Sequence, residues 1–189
     1  MMLIGNIIKR ISSTKRIYTN LVTNFSFEDG LTNWTLYVNT GLTVTAATDQ
    51  SYLGSKSYKA TSSSNSVGSV YRQAITFTNG RKYYMFCYGR STSTNGNPVG
   101  MRIYSNTTQV ETSYVTLSSE TLNTWLRSSG TIRTSNGAET HVAVVIGQSA
   151  SNTGWVDALY LVDLTAEFGA GNEPNLSWCE ANISELNFA

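Results

Sequence analysis

Between residues 20 and 163, short runs of apolar and β-branched residues alternate with clusters of Gly, Asn, Ser and Thr. Such runs, bounded by turn formers such as Asn79-Gly80 and Asn136-Gly137, are typical of antiparallel strands. Ser, Thr and Asn supply 66 of the 189 residues, and they serve long helices poorly because their side chains compete for backbone hydrogen bonds. The sequence therefore predicts an all-β fold, a two-sheet antiparallel jelly-roll sandwich. Candidate strands cover residues 36–46, 56–61, 68–77, 82–90, 100–104, 125–133, 141–147 and 155–163.

The two ends of the chain differ from this pattern. In residues 1–19, apolar residues recur at helical spacing and basic residues follow them, which is the wrong order for a secretory signal. This segment is either an amphipathic arm folded onto its own domain or a docking arm for a larger assembly. At the other end, residues 164–189 read as a loop and a short helix over 177–186. We therefore expect an arm over 1–19, a jelly-roll domain over 20–163 and a C-terminal loop and helix over 164–189.

Charge and composition exclude several function classes. The formal net charge of +1 gives no electrostatic footprint for nucleic acid or an anionic membrane surface. No apolar run approaches the ~20 residues of a spanning helix, so we expect no membrane partner. Cys87 and Cys179 are too few for a disulfide framework in a chain of 189 residues and are predicted to be free thiols.

The reactive side chains give little support for catalysis. His141 is the only histidine and opens an apolar strand, and no nucleophile elbow, zinc spacing or phosphate loop is present. We therefore expect no enzyme and no organic cofactor. Strand alternation places Asp157 on the same face as Leu159 and Leu161, and a carboxylate on an apolar face needs a partner. Three interpretations remain open: Asp157 binds Ca²⁺, is hydrogen-bonded or exposed at an edge, or is catalytic.

An aromatic stripe runs along the strand predicted over residues 82–90. Alternation puts Tyr84, Phe86, Tyr88 and Arg90 on one face and Met85 and Cys87 on the other. Arg102 and Tyr104, on the next strand, are expected beside the stripe. If these residues are exposed, they would form a platform on which the flat faces of sugars stack. Alternatively, the stripe packs under a loop or a subunit interface.

Four segments resemble jelly-roll carbohydrate-binding modules. Residues 24–34 match the N-x-x-F-E-x-G-x-x-x-W opening of that family, and residues 53–60, 80–84 and 155–159 resemble later strands. The resemblance implies a structural Ca²⁺ between the first and last strands, with Glu28 and Asp157 as ligands. Ala158 departs from the pattern, since many members have a second aspartate there.

The segment after this domain resembles another group of proteins. Residues 163–174 are similar to the L-T-x-x-F-G-x-G-N-E-P tail that follows such sandwiches in minor structural, tail and fibre proteins of bacteriophages. This resemblance implies a non-catalytic virion protein on the tail, baseplate or head fibre, assembled in the bacterial cytoplasm and acting outside the cell. Its partners would be other virion proteins through residues 1–19, a host-surface glycan, and further copies of itself in a homo-oligomer.

Two other functions are alternatives to glycan binding. The first is a structural decoration or connector protein of the virion, whose aromatic face is a protein–protein interface. The second is a polysaccharide-degrading enzyme, which would need Asp157 with either Asp163 or Glu28 as its carboxylate pair.

Overall fold

The structure is a computed structural model, and it describes residues 16–39, 42–62, 69–94, 98–147 and 152–188. Within these ranges the chain forms eleven strands and two short α-helices. The strands are β1 (Thr35–Asn39), β2 (Leu42–Ala47), β3 (Ser57–Ser62), β4 (Ser69–Ala74), β5 (Lys82–Ser91), β6 (Val99–Ser105), β7 (Thr108–Tyr114), β8 (Leu126–Arg127), β9 (Thr131–Thr134), β10 (His141–Ile146) and β11 (Thr153–Asp163). The helices are α1 (Leu164–Phe168) and α2 (Leu176–Asn182).

The strands form two antiparallel sheets. The five-stranded sheet has the order β1-β4-β10-β6-β7, and the six-stranded sheet has the order β2-β3-β11-β5-β8, with β9 also pairing with β5. Neighbours in each sheet are mostly distant in sequence, as expected when a chain crosses repeatedly between two layers. The predicted all-β jelly-roll sandwich is confirmed.

Strand alternation supplies the core between the sheets. On the five-stranded sheet, Met101 and Ile103 of β6 and Val142 and Val144 of β10 point inward and are fully buried. Facing them, the six-stranded sheet contributes apolar side chains from its central strands β5 and β11. Nearly every residue of β5 and β11 is buried, whereas a strand facing water on one side would be buried only at alternate positions. A third layer therefore covers the outer face of the six-stranded sheet.

A β-bulge in β11 corrects the predicted face of Asp157. Asp157 pairs with Tyr88 and Tyr160 with Phe86, so β11 holds one extra residue, and Ala158 adopts a φ of 50°. The extra residue sends Leu159 into the core between the sheets. Asp157 and Leu159 thus do not share a face, because simple alternation takes no account of a bulge.

The third layer is the C-terminal segment, residues 164–188. Helix α1 begins where the Asp163 carboxylate accepts a hydrogen bond from the Ala166 N–H at 2.8 Å. Helix α2, predicted over 177–186, begins at Leu176 and ends at Asn182. Cys87 and Cys179 are free thiols, as predicted, and both are buried.

Most of the predicted N-terminal arm, residues 1–15, lies outside the described residues. The described end of the arm folds onto the C-terminal segment: the Tyr18 N–H donates to the carbonyl oxygen of Asn187 at 2.7 Å, and Tyr18 is buried. Among the described residues, no helix has the length and apolar character needed to cross a membrane.

Candidate functional site

The predicted aromatic stripe on β5 is covered by the C-terminal segment. Tyr84 and Phe86 are fully buried, and Tyr88 is 7% exposed. Phe86 stacks on Tyr160 with ring centroids 4.8 Å apart, and Phe188 stacks on the same tyrosine at 4.3 Å. The expectation of an open platform here is therefore wrong: the alternation is as predicted, but residues far along the chain occupy the face.

Polar contacts fix the C-terminal segment over the stripe. Arg127 forms an ion pair with Glu180 at 2.6 Å and donates to the Tyr84 hydroxyl at 2.7 Å. Burial raises the pKa of Tyr84 to about 12, against the opposing effect of Arg127. The Tyr88 hydroxyl donates to the Glu185 carboxylate at 2.5 Å. Both hydroxyls therefore serve the contact with the segment and are not free for a ligand.

Arg90, at the end of the stripe, lies beside Trp155. Its guanidinium carbon is 5.6 Å from the centre of the indole ring, and Lys59 lies 5.3 Å from the same ring. Asp49 holds this group together, accepting from the Trp155 Nε1 at 3.2 Å and pairing with Lys59. Trp155 is almost fully buried, so a sugar could not stack on it without displacing these neighbours.

Arg102 and Tyr104 lie on the other sheet. They belong to β6, and consecutive strands β5 and β6 are in opposite layers of the sandwich. The six residues predicted to form one ligand site are thus divided between the two outer surfaces of the sandwich. The sheets that carry these surfaces are ~10 Å apart. Sequence proximity of the two strands was the misleading signal.

Arg102 and Tyr104 form part of a surface that we call the five-stranded face: the outward side chains of Tyr37, Arg72, Arg102, Tyr104, Tyr114 and His141. Its middle strand, β10, carries small apolar side chains between larger ones on each side. Ala143 pairs with Arg72 on one neighbouring strand and with Arg102 on the other. Val145 pairs with Val70 on one neighbouring strand and with Gly100 on the other. Ala143 and Val145 are buried beneath the larger side chains around them, and we call this line of small residues along β10, with its flanking polar and aromatic side chains, the trough.

Contacts among the wall residues fix their orientation. Tyr37 and Tyr104 meet edge to face with ring centroids 5.6 Å apart, and the Arg72 guanidinium lies 4.2 Å above the Tyr37 ring. Arg102 donates to the hydroxyls of Tyr104, at 3.2 Å, and of Tyr114. Rings held in this way offer faces for the C–H groups of a sugar, and the guanidiniums offer donors for its oxygens.

His141 lies at one end of the face. Burial lowers the pKa of His141, and the positive charge of Arg72 lowers it further, so the imidazole is neutral at pH 7. Its Nδ1 is 2.8 Å from the Thr140 hydroxyl. His141 thus has a hydrogen-bonding partner in the residue that precedes its own strand.

Sequence reasoning missed Tyr37, Arg72 and Tyr114. Period-2 alternation within each strand would have placed each of them outward. Alternation could not show which strands are neighbours, since the β1–β4 pair and the β6–β7 pair are joined only through β10, which is far along the chain.

The predicted metal ligand Glu28 instead holds the loop formed by residues 52–56, the 52–56 loop. Its Oε1 accepts from the N–H groups of Ser55, at 2.9 Å, and Lys56, at 2.8 Å. Its Oε2 accepts from the Ser55 hydroxyl at 2.7 Å, and the Lys56 ammonium donates to the Glu28 backbone oxygen at 2.6 Å. Burial acts to raise the pKa of Glu28, but these hydrogen bonds outweigh it and lower the pKa.

Asp157 holds the same loop from the other side. Its Oδ2 accepts from the N–H groups of Tyr52 and Leu53 at 2.8 and 2.9 Å, and its Oδ1 accepts from the Ala158 N–H at 2.6 Å. The residue is fully buried, and burial raises its pKa to about 7 despite these three donors. Of the three interpretations of Asp157, the hydrogen-bonded aspartate is the one that matches this arrangement.

These residues do not fit the calcium ion that the resemblance implies. Ca²⁺ takes 6–8 oxygen ligands, roughly, and its ligands must direct lone pairs at the ion. Here every carboxylate oxygen of Glu28 and Asp157 accepts from N–H or O–H groups, and the Lys56 ammonium uses the Glu28 carbonyl. Within the described ranges, no three His, Cys, Asp or Glu residues come together as a metal site.

The carboxylates considered for a glycosidase pair all have structural partners. Asp163 forms an ion pair with Arg81 at 2.7 Å and caps α1, while Glu28 and Asp157 hold the 52–56 loop. None is directed at the trough of the five-stranded face.

Comparison with known proteins identifies the family. A family model described as a carbohydrate binding domain matches residues 19–152, most of the sandwich. The chain belongs to this family of carbohydrate-binding domains. No curated protein matches the chain.

Solved structures agree with the family at the level of the fold. The carbohydrate-binding domain is similar to a family 16 carbohydrate-binding module, with 20% identity and a TM-score of 0.55 over 76% of this chain and 99% of that one. It is also similar to the xylan-binding CBM22-1 domain of Paenibacillus barcinonensis Xyn10C, with 12% identity and a TM-score of 0.54 over 78% and 96% of the two chains.

A third similar structure is the enzymatically active domain of tailspike protein 4 from bacteriophage CBA120. Here the identity is 15% and the TM-score 0.56, over 76% of this chain but only 21% of the tailspike chain. At such low identities, all three likenesses establish the sandwich and no more.

Proposed function

We propose that this carbohydrate-binding domain binds a glycan in the trough of the five-stranded face. The supporting observation is that the outer faces of the two sheets are covered in different ways. The outer face of the six-stranded sheet is covered by the chain's own C-terminal segment, whereas the described contacts over the five-stranded face are made by side chains of the sheet itself and by the turn at Asn106 and Thr107. Ala143 and Val145 lie buried beneath these side chains, although outward positions of an antiparallel sheet facing water are normally polar.

The walls of the trough supply the chemistry that sugars need. Tyr37, at the β1 edge, presents a partly exposed ring, and Tyr114 lies at the β7 edge. One strand lies between the central strand β10 and each of β1 and β7, so each edge strand is two strand spacings of ~4.7–4.9 Å from β10. A short glycan segment lying across β10 would meet an aromatic wall at either end.

We further propose that the protein acts as a non-catalytic bacteriophage virion component that attaches to host-surface glycan. The support is the phage-like tail motif over residues 163–174, together with the role of that segment in covering one sheet. Weak binding at each site would be strengthened by display in several copies on the particle. Residues 1–19 would dock the protein to other virion proteins.

A binding assay with one matched pair of variants tests the glycan site. Tyr37→Ala removes a wall residue, and Leu36→Ala changes its neighbour on the same strand, which is 50% exposed and lies outside the trough. Labelled protein is titrated onto host cell walls. We expect Tyr37→Ala to weaken binding about tenfold, in line with a lost aromatic contact of ~1–1.5 kcal/mol, and Leu36→Ala to leave it unchanged. Equal binding by both variants would refute the assignment of this face.

A second candidate function, a structural connector of the virion, is favoured by one observation. The C-terminal segment exposes large apolar side chains, Leu176 at 42%, Trp178 at 40% and Leu186 at 64%. The interface of a connector would then lie on this segment and not on the β5 stripe, which is already covered. Trp178→Ser should then disturb assembly, measured by light scattering, without changing glycan binding.

A further inference from the structure

Two arginines flank Ala143 on the five-stranded face. Arg72 and Arg102 are both register partners of Ala143, one on each neighbouring strand. With strands ~4.7–4.9 Å apart, their Cα atoms are about 10 Å apart, and each long side chain can reach the centre of the trough. Arg72 lies over the Tyr37 ring and Arg102 contacts the Tyr104 hydroxyl, and these two rings meet, so one group bound over the ring pair would be within reach of both guanidiniums.

Neither arginine has an acidic partner among the described residues. The ion pairs there involve other cations: Arg16, Lys59, Arg81, Lys82, Arg127 and Arg133. Arg72 donates to the backbone oxygen of Asn106 at 3.3 Å, and Arg102 to tyrosine hydroxyls. These acceptors are neutral. Glu111 pairs with Ile103, an inward-pointing residue, and so does not belong to this face.

Two unpaired positive charges beside an apolar floor repel each other and are only partly hydrated. Guanidinium groups in such surroundings are normally paired with an anion, most favourably a planar or tetrahedral oxyanion that accepts two N–H bonds. Neutral sugar hydroxyls would leave the charge uncompensated.

We infer that the ligand of the five-stranded face is an acidic glycan, whose oxyanion binds between Arg72 and Arg102. This inference rests on the proposed glycan-binding function and narrows its substrate class. The oxyanion is either the carboxylate of a uronic acid or the phosphate of a sugar-phosphate polymer. The tyrosine walls would contact the sugar rings on each side of it.

The test compares polymers and variants by isothermal titration calorimetry. The probes are polygalacturonate, a glycerol-phosphate polymer, neutral xylan and single-stranded DNA. The variants are Arg72→Gln and Arg102→Gln, with Arg90→Gln as the control, because Arg90 lies beside Trp155 on the six-stranded sheet. Arg72→Lys and Arg102→Lys, which keep the charge, replace any glutamine variant that does not fold by circular dichroism.

We expect one acidic polymer to bind more tightly than xylan, with an affinity that falls as salt increases. Each glutamine variant should weaken that binding about tenfold or more, while Arg90→Gln has no effect and weak xylan binding persists. Lysine variants should retain part of the acidic preference, since they keep the charge and lose the bidentate geometry. Which acidic polymer binds identifies the oxyanion.

Three results would overturn the inference. Tighter binding of xylan, with equal losses in the glutamine variants, would show that the arginines serve neutral hydroxyls, and the proposed glycan-binding function would stand. Equal binding of DNA, or an equal loss in Arg90→Gln, would indicate general charge attraction. If no polysaccharide binds to the folded protein, the proposed function fails together with the inference.

Discussion

Ile183 tests whether the C-terminal segment is part of the folded core. It is 2% exposed and packs in the cluster that covers the β5 stripe. Ile183→Ala removes three carbon atoms, which at ~0.8 kcal/mol each amounts to about 2.4 kcal/mol of lost burial. A residual cavity adds to this, so we expect a loss of about 3–4 kcal/mol in the free energy of unfolding. For a chain of this size, that lowers the melting temperature by about 6–16 °C.

The measurement is urea denaturation followed by intrinsic tryptophan fluorescence, with thermal melting as a second readout. Leu186→Ala is the matched control, because it lies on the same segment and is 64% exposed. We expect the control to change stability by less than about 0.5 kcal/mol. If Ile183→Ala costs no more than Leu186→Ala, the segment does not pack on the six-stranded sheet. The stripe of Tyr84, Phe86 and Tyr88 would then again be available to a ligand.

Three further predictions concern the 52–56 loop and its carboxylates. Gly54 has a φ of 72°, and an added Cβ would lie 2.6 Å from the Glu28 Oε1, whereas Gly30 has a φ of 66° and open space. Gly54→Ala should therefore lower the melting temperature more than Gly30→Ala, and equal losses would show that only backbone strain matters. Because the cation at Glu28 is the Lys56 ammonium, chelation of calcium should leave the melting temperature unchanged. A rise in the melting temperature on addition of calcium would instead support calcium binding by Glu28 and Asp157. The Asp157 pKa of about 7 lies above its ordinary value of 3.8, so folding favours the protonated form. The stability that protonated Asp157 contributes is present at low pH and is lost as the pH rises from about 4 to 7. The wild type should therefore lose stability relative to Asp157→Asn across that range, as measured by urea denaturation at each pH.

The fold could be predicted because its determinants are local. Period-2 alternation and turn residues such as Asn79-Gly80 mark strands without reference to the rest of the chain. The bulge at Ala158 could not be predicted in this way, because the residue at positive φ is an alanine and not a glycine. One such residue was enough to reverse the predicted face of Leu159.

The candidate site was harder to predict because it depends on strand order. Alternation correctly grouped Tyr84, Phe86 and Tyr88, but whether a face is open depends on what packs against it. Here Phe188, about a hundred residues further along the chain, stacks against that face. Arg72 and Arg102 are likewise neighbours only because β10 pairs with both of their strands.

The C-terminal segment and the five-stranded face have complementary roles in this architecture. A two-sheet sandwich has two outer faces, and each must be polar, covered or used for binding. The chain covers one face with its own tail, through the contacts of Phe188 and Arg127. The other face has small apolar residues at Ala143 and Val145, which are buried beneath arginine and tyrosine side chains. Such side chains can move aside for a ligand at the cost of rotamer changes, whereas the tail could leave only by breaking the core of the third layer. The side chains over the five-stranded face can therefore rearrange without loss of the core, whereas the cover of the six-stranded sheet cannot.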